Sequence, residues 1–268
     1  MADSESIINR PAELIADSVS FRFAQFALAP VSLRARAGEL TALIGPNGSG
    51  KSTLLEILSG HLKPRSGGVF LDGQNLHGLS PRERARKVGL ARQDTILLFS
   101  FEVQEFVRQG RHPHLGHSLF ESPEDDRWVA WALEKTCLQD FAHRRVMEMS
   151  SGEFQRAVLA RTLAQRPRLV LLDEPTANLD IGYQVEIFRL LRQLAKSENF
   201  VGVVVTHELN LAAEMADYVM LLQGGNCVRQ GRAEDVFHAD LLSRAFRTPV
   251  LVDKNPSSGR PRVTWVAP

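Results

Sequence analysis

Cysteine is scarce: Cys137 and Cys227 are the only two among 268 residues. Two thiols make no disulfide framework, and a chain this long buries enough apolar surface not to need one. Long hydrophobic runs are missing too. The best, Val201, Gly202, Val203, Val204 and Val205, falls far short of the roughly 18 apolar residues of a membrane-spanning helix and has the composition of a strand. Net charge is also nearly absent, with 32 Lys and Arg against 31 Asp and Glu, a balance of +1. No global field is available to hold nucleic acid or a lipid surface, so neither is an expected partner. Asp3 and Glu5 stand where a secretory leader carries basic residues, and no long apolar stretch follows. The expectation is a cytosolic protein that meets a membrane through a partner. No internal repeat and no low-complexity tract is visible.

What is present is ordinary for a globular chain: 44% hydrophobic and 24% charged residues, which excludes wholesale disorder. The length suggests roughly 1.8 domains, hence one α/β domain or a core with an insertion. Residues 14–23 alternate, with Val19, Phe21 and Phe23 on one face, and 31–36 and 40–44 read as further strands. A glycine-rich turn follows, then a helical run over 51–59 and a short strand near 69–73. From about 101 to 164 the pattern is helical, over 103–107, 125–136 and 152–163, with a loop rich in His, Gly and Pro expected at 111–123. Residues 169–173 and 200–206 read as strands buried on both faces, separated by a helix over 184–194, which predicts a parallel sheet. A hairpin is expected over about 249–266.

Gly45, Pro46, Asn47, Gly48, Ser49, Gly50, Lys51 and Ser52 match the phosphate-loop spacing of glycine, four residues, then glycine, lysine and a hydroxyl. Glycines let successive N–H groups turn inward around a polyphosphate, and the helix that follows adds the positive end of its dipole. Lys51 then reaches the β and γ phosphates while the Ser52 hydroxyl ligates Mg²⁺. The strand 169–173 ends in Asp173 and Glu174. Asp173 is placed to hold the metal from a rigid support, and Glu174 to polarise a water for attack on the γ phosphate.

The run Glu148, Met149, Ser150, Ser151, Gly152, Glu153, Phe154, Gln155 and Arg156, followed by Asp173, Glu174, Pro175 and Thr176, resembles the ATPase subunit of ABC transporters. The resemblance covers about residues 14–266. It implies a P-loop α/β fold filling one domain over 1–268, with an antiparallel β subdomain and a helical subdomain inserted at about 97–162. It implies ATP and Mg²⁺ as the bound groups, with Thr53 beside Ser52 in the phosphate loop. The family's signature reads Leu-Ser-Gly-Gly-Gln and binds the γ phosphate of ATP held by the opposite subunit. Here it is carried by Ser150, Ser151, Gly152 and Glu153, with Ser151 where glycine is usual and Glu153 where glutamine is commonest. Gln93 resembles the glutamine that touches Mg²⁺ and relays nucleotide state. Asp180 ends the loop that communicates across the dimer, and His207 resembles the histidine that contacts the γ phosphate. Phe23, 28 residues before Lys51, either stacks on adenine as the family's aromatic does or belongs to the strand's core face.

The resemblance further implies a homodimer sandwiching two ATP molecules, driving transmembrane permease subunits and, indirectly, a substrate-binding protein at the cytoplasmic face of the membrane. Residues 101–115 and the tail with Arg260 and Arg262 are similar to importers of iron-siderophore, haem and cobalamin. Within that stretch Phe106, Arg111, Pro113 and Leu115 are expected to form a shallow docking patch for the permease. His112, His114, His117 and His143 lack a cysteine or carboxylate cluster at ligand spacing, so they read as partner contacts and not a metal site. Arg82, Arg84, Arg86 and Lys87 read as a solvated helix face. The rival is a soluble ABC protein acting on ribosomes or nucleic acid. Such proteins usually carry two cassettes or a long coiled coil, and neither fits in 268 residues. A P-loop kinase or GTPase leaves residues 150–155 unexplained.

Overall fold

The computed structural model describes residues 12–23, 25–92, 100–115 and 122–266. Two long strands, β1 (Glu13–Phe23) and β2 (Phe26–Arg36), pair antiparallel, and β3 (Leu40–Ile44) leads through the glycine turn into helix α1 (Lys51–Leu58). Strands β4 (Ser66–Leu71) and β5 (Gln74–Asn75) complete an antiparallel sheet of order β2-β1-β4-β5. A short helix α2 (Pro81–Ala85) precedes β6 (Val88–Ala91). Then come three helices, α3 (Val103–Arg108), α4 (Pro123–Lys135) and α5 (Ser151–Ala164). Strand β7 (Leu169–Asp173), helix α6 (Ile181–Glu198), strand β8 (Val201–Val205), helix α7 (Leu209–Met215) and strand β9 (Tyr218–Gln223) follow, with β10 (Asn226–Gly231) on the edge. The second sheet has the order β10-β9-β3-β8-β7-β6, parallel except for β10. Helices α8 (Ala233–Val236) and α9 (Ala239–Phe246) lead to the hairpin β11 (Val250–Lys254) and β12 (Pro261–Trp265).

The strands expected to be buried on both faces are so. Along β7 and β8, Leu171 and Val203 pack with α1 and the antiparallel sheet, while Leu172 and Val204 pack with the helices on the opposite face. Alternate side chains of one strand thus feed two separate cores, which is why these runs are continuously apolar. The hairpin is fastened to α7. Asn210 donates to the Val263 carbonyl and accepts from its N–H, Glu214 accepts from Asn255 and Ser258, and Arg260 donates to the carbonyls of Ala213 and Ala216.

Residues 111–123 are not simply a loop, and two members of the expected docking patch, Phe106 and Arg111, are buried. A 3₁₀ helix covers Gln109–His114. Phe106 is 1% exposed, and the Arg111 side chain is 4% exposed. Arg111 Nε donates to Asp125 Oδ1 at 2.8 Å and its Nη1 to the Ala164 carbonyl at 2.7 Å. Asp125 also accepts from the Ser122 N–H and hydroxyl, forming the capping box of α4. One buried ion pair therefore joins the 3₁₀ turn, the start of α4 and the end of α5. Arg82 and Arg86 are not merely solvated either, since both Nε atoms donate to the Pro113 carbonyl. His114 bonds the Gln165 carbonyl and His143 bonds Glu102, while His117 lies outside the described residues.

Replacing Asp125 with Ala strands the Arg111 charge and uncaps α4. Urea unfolding should show a loss of about 3–5 kcal/mol, the usual cost of breaking a buried pair from one side. Arg111→Met with Asp125→Asn should recover part of that loss.

Candidate functional site

The site stands at the carboxyl ends of three adjacent parallel strands, where open α/β sheets characteristically leave a crevice. Strand β3 ends into the glycine loop, β8 into Thr206 and His207, and β7 into Asp173 and Glu174. Backbone bonds fasten these ends together: the Glu174 N–H donates to the Val205 carbonyl, and the Thr206 N–H to that of Leu43. Glu174 adopts φ +49, a left-handed conformation that non-glycine residues seldom take. That bend turns its carboxylate away from the strand and toward the loop.

Helix α1 starts differently from its neighbours. Helices α2, α4 and α5 carry serine caps with complete capping boxes. Helix α1 begins after Gly50, at φ +102, with no side-chain cap and no acid in its first turn. Its first N–H groups are left without the side-chain acceptor that normally satisfies them. Gly45 takes φ +147, and a Cβ there would overlap the Leu222 carbonyl, so only glycine lets the loop pass this close to β9. An uncapped helix start behind a glycine turn is an anion cradle.

Lys51 is 5% exposed, and its Nζ donates to the loop's own carbonyls, Gly45 at 2.8 Å and Pro46 at 3.0 Å. Burial holds its pKa below the ordinary lysine value, against the opposing pull of Glu174 and Asp173. Behind it, Asp173 is pushed up, first by burial and then by the charges of Glu174 and Glu56. The Asp173 Oδ1 atom is buried with no hydrogen-bond partner. A buried orphan carboxylate oxygen and the exposed Ser52 hydroxyl at the head of α1 are oxygen donors of the kind that suits a hard cation such as Mg²⁺. In front, His207 Nε2 lies 2.7 Å from Glu174 Oε1. An ionised carboxylate only accepts, so the imidazole N–H is the donor.

These residues line one cleft of about 370 Å³, with Asn47, Gly48, Ser49, Gly50, Lys51, Ser52 and Thr53 on one side and Glu174 and His207 on the other. Its aromatic wall is Phe26, which the sequence reading missed. The Phe26 ring Cζ lies 2.9 Å from where a Gly50 Cβ would stand. The signal was present in register, because Phe23 pairs with Phe26 across the end of the β1–β2 ladder. Phe23 is 71% exposed, so its place in the core is overturned. Gln93 lies outside the described residues.

Ser150, Ser151, Gly152, Glu153 and Asp180 do not line the cleft. Ser150 caps α5: its hydroxyl accepts from the Glu153 N–H, and the Glu153 carboxylate accepts from the Ser150 N–H at 2.8 Å. That N–H holds the Glu153 carboxyl below the usual range. The Ser150 hydroxyl also bonds the Glu153 side chain, and Ser150 and Ser151 are exposed. Asp180 is exposed at the start of α6 without a side-chain cap bond. Ile181, beside it, is 79% exposed. These five expected site residues thus stand outside the cleft.

Residues 28–177 match the family described as ABC transporter. The chain is 38% identical over 229 residues to the cobalamin import ATP-binding protein of Halobacterium salinarum, covering 85% of this chain and 57% of that protein's length. It is 38% identical over 239 residues to the hemin import ATP-binding protein of Escherichia coli O157:H7, covering 87% of this chain and 91% of that one. A solved structure of a metal-chelate type ABC transporter in an inward-facing conformation superposes with a TM-score of 0.84 at 26% identity, covering 96% of this chain and 98% of that chain.

The unpartnered Asp173 carboxylate costs stability while the site holds no cation. Asp173→Asn should raise the melting temperature of the nucleotide-free protein at pH 7, on the order of 2–4 °C per kcal/mol recovered. Because the folded-state pKa is raised, the wild-type penalty is full at neutral pH and fades as the group protonates. The gain should therefore shrink toward pH 4. Calorimetry of both proteins across that range checks it.

Proposed function

The chain belongs to the ABC transporter family, and on that premise we propose that it is the ATP-hydrolysing subunit of an importer for metal chelates of the iron-siderophore, haem or cobalamin class. The observation that carries the hydrolytic reading is the convergence of Lys51, Asp173, Glu174 and His207 beside an uncapped helix start. The cargo class rests on the relatives, whose own names specify cobalamin and hemin import.

ATP is the substrate. The N–H groups of residues 48–52 and the head of α1 receive its phosphates, and Lys51 exchanges the Gly45 and Pro46 carbonyls for phosphate oxygens. That exchange costs little, because the lysine is already desolvated and held at the loop. Ser52 and Asp173, with Gln93 as the resemblance implies, would hold Mg²⁺, which would supply neutralisation of phosphate charge. Glu174 accepts the proton of the attacking water, and the His207 N–H fixes the carboxylate in place. Phe26 and the exposed Phe23 form an aromatic edge for the adenine.

Completion of the site needs a second chain. The Ser150 to Glu153 helix start, which does not line its own cleft, closes on ATP held by a partner copy, giving a homodimer with two sandwiched nucleotides. No helix among the described residues is long and apolar enough to cross a membrane. The membrane passage is assigned to separate permease subunits, fed by a substrate-binding protein, with this subunit on the cytoplasmic face. Helices α3, α4 and α5 form the helical subdomain that meets the permease.

Glu174→Gln should bind ATP and lose on the order of 10²–10⁴ in turnover. Light scattering should then show this variant doubling in mass on addition of ATP. Ser150→Arg should keep nucleotide binding and lose the dimer. Co-purification with a polytopic membrane protein, and uptake of haem, cobalamin or an iron chelate by the pair, tests the transport reading. Uptake of sugars or amino acids instead would overturn the cargo class alone.

A further inference from the structure

The first turn of α6 touches both halves of the machinery. Gly152, in the signature, is buried, and a Cβ there would overlap the Tyr183 ring, with Tyr183 Cγ and Cε1 each 2.8 Å away. The ring therefore lies flush on the α5 start, where any larger residue would displace it. The next residue, Gln184, points elsewhere. Its amide donates to the Thr176 carbonyl at 3.5 Å and to Glu208 Oε1 at 3.4 Å. Thr176 is two residues beyond Glu174, and Glu208 immediately follows His207. A second tie joins the same two helices, since Arg156 Nη1 lies 3.1 Å from Glu186 Oε1. Between Glu174 and α6 the backbone is bent twice into the left-handed region, at Glu174 itself and at Asn178, φ +61. Such a segment is held in shape by its flanks and not by its own preference.

Resting on the functional reading above, we propose that Tyr183 and Gln184 are positioning residues that couple the signature helix to the hydrolytic pair of the same chain. Tyr183 registers the seating of α5 against the nucleotide of the partner copy, and Gln184 passes that register to the segments carrying Glu174 and His207. The two act in series through one rigid helical turn. Each chain then hydrolyses its own ATP best when its signature has engaged the partner's. The tyrosine works through its ring, which is what packs on Gly152, and its hydroxyl is dispensable. Neither residue touches the cleft itself, so nucleotide affinity is independent of both.

The experiment is a double-mutant cycle on the full chain. Tyr183→Ala and Gln184→Ala should each lower kcat about tenfold, within the range of ordinary coupling energies, with KM and the affinity for a fluorescent ATP analogue unchanged. The double variant should lose no more than either single variant, because the residues act in series. Tyr183→Phe should match wild type. In the Glu174→Gln background, Tyr183→Ala should still dimerise with ATP, which separates coupling from assembly. If Tyr183→Ala does not fold, Tyr183→Leu and Gln184→Ala carry the same cycle. Multiplicative losses in the double variant, a Tyr183→Phe as impaired as Tyr183→Ala, or a fall in affinity parallel to kcat overturns the coupling. A wild-type protein without ATPase activity sinks the functional reading itself, whereas an active wild type with any of those outcomes sinks only this proposal.

Discussion

Helix α1 begins with nothing to satisfy it, and the surrounding architecture accommodates that fact. Its head has no side-chain cap, the lysine at its first position is buried, and the aspartate behind it keeps an oxygen without a partner. Each is a destabilised arrangement in a protein interior, where polar groups are ordinarily paired. What holds them is the parallel sheet. Strands β3, β8 and β7 lie side by side with both faces packed, so their carboxyl ends are rigid enough to hold polar groups in poor surroundings. The stability lost at the site is offset by the two apolar cores, and the resulting strain is what a polyphosphate and a cation relieve.

The same logic explains how the chain divides its labour. Serine caps close the starts of α2, α4 and α5, while α1, like α6, α7 and α9, starts without a side-chain cap bond, and of these α1 is the one that follows the glycine loop. At α5 the cap is reciprocal. Ser150 accepts from the Glu153 N–H, and the Glu153 carboxylate accepts from the Ser150 N–H. Glu153, a carboxylate where an amide is commoner in the family, brings a negative charge to the α5 start. Arg144, whose Nη1 lies 3.5 Å from Glu153 Oε2, offsets it.

Most of this was legible in the residues because the motifs are local. The glycine loop, the apolar strand ending in Asp173 and Glu174, and the capped α5 start each lie within a few consecutive positions. Strand β7 and the C-terminal hairpin stand where alternation and apolar runs put them. The misreadings came from contacts across the chain. Arg111 looked like a surface cation, since nothing in a run of histidine, glycine and proline reveals a carboxylate 14 positions away in sequence. Phe106 looked like the apolar centre of a patch, since a six-residue helix gives too few turns to show which face is buried. Phe26 was overlooked because its role comes from the turn that brings β2 back over the glycine loop. Tyr183 was invisible for a similar reason: its partner is a glycine, which leaves no complementary side chain to notice.

The attachment of the C-terminal hairpin to α7 has a consequence for how such a chain can vary. Helix α7 follows His207 after a single intervening residue, and the hairpin grips it by six side chain to backbone or side chain to side chain bonds through Asn210, Glu214 and Arg260. A segment far from the nucleotide cleft in sequence is thereby part of the frame that sets the imidazole. Lengthening the hairpin turn is harmless only while Asn255 and Arg260 keep their hold. The tail is accordingly less free to drift than its place on the surface suggests, and two lineages with different tails would carry different settings of the segment that bears His207.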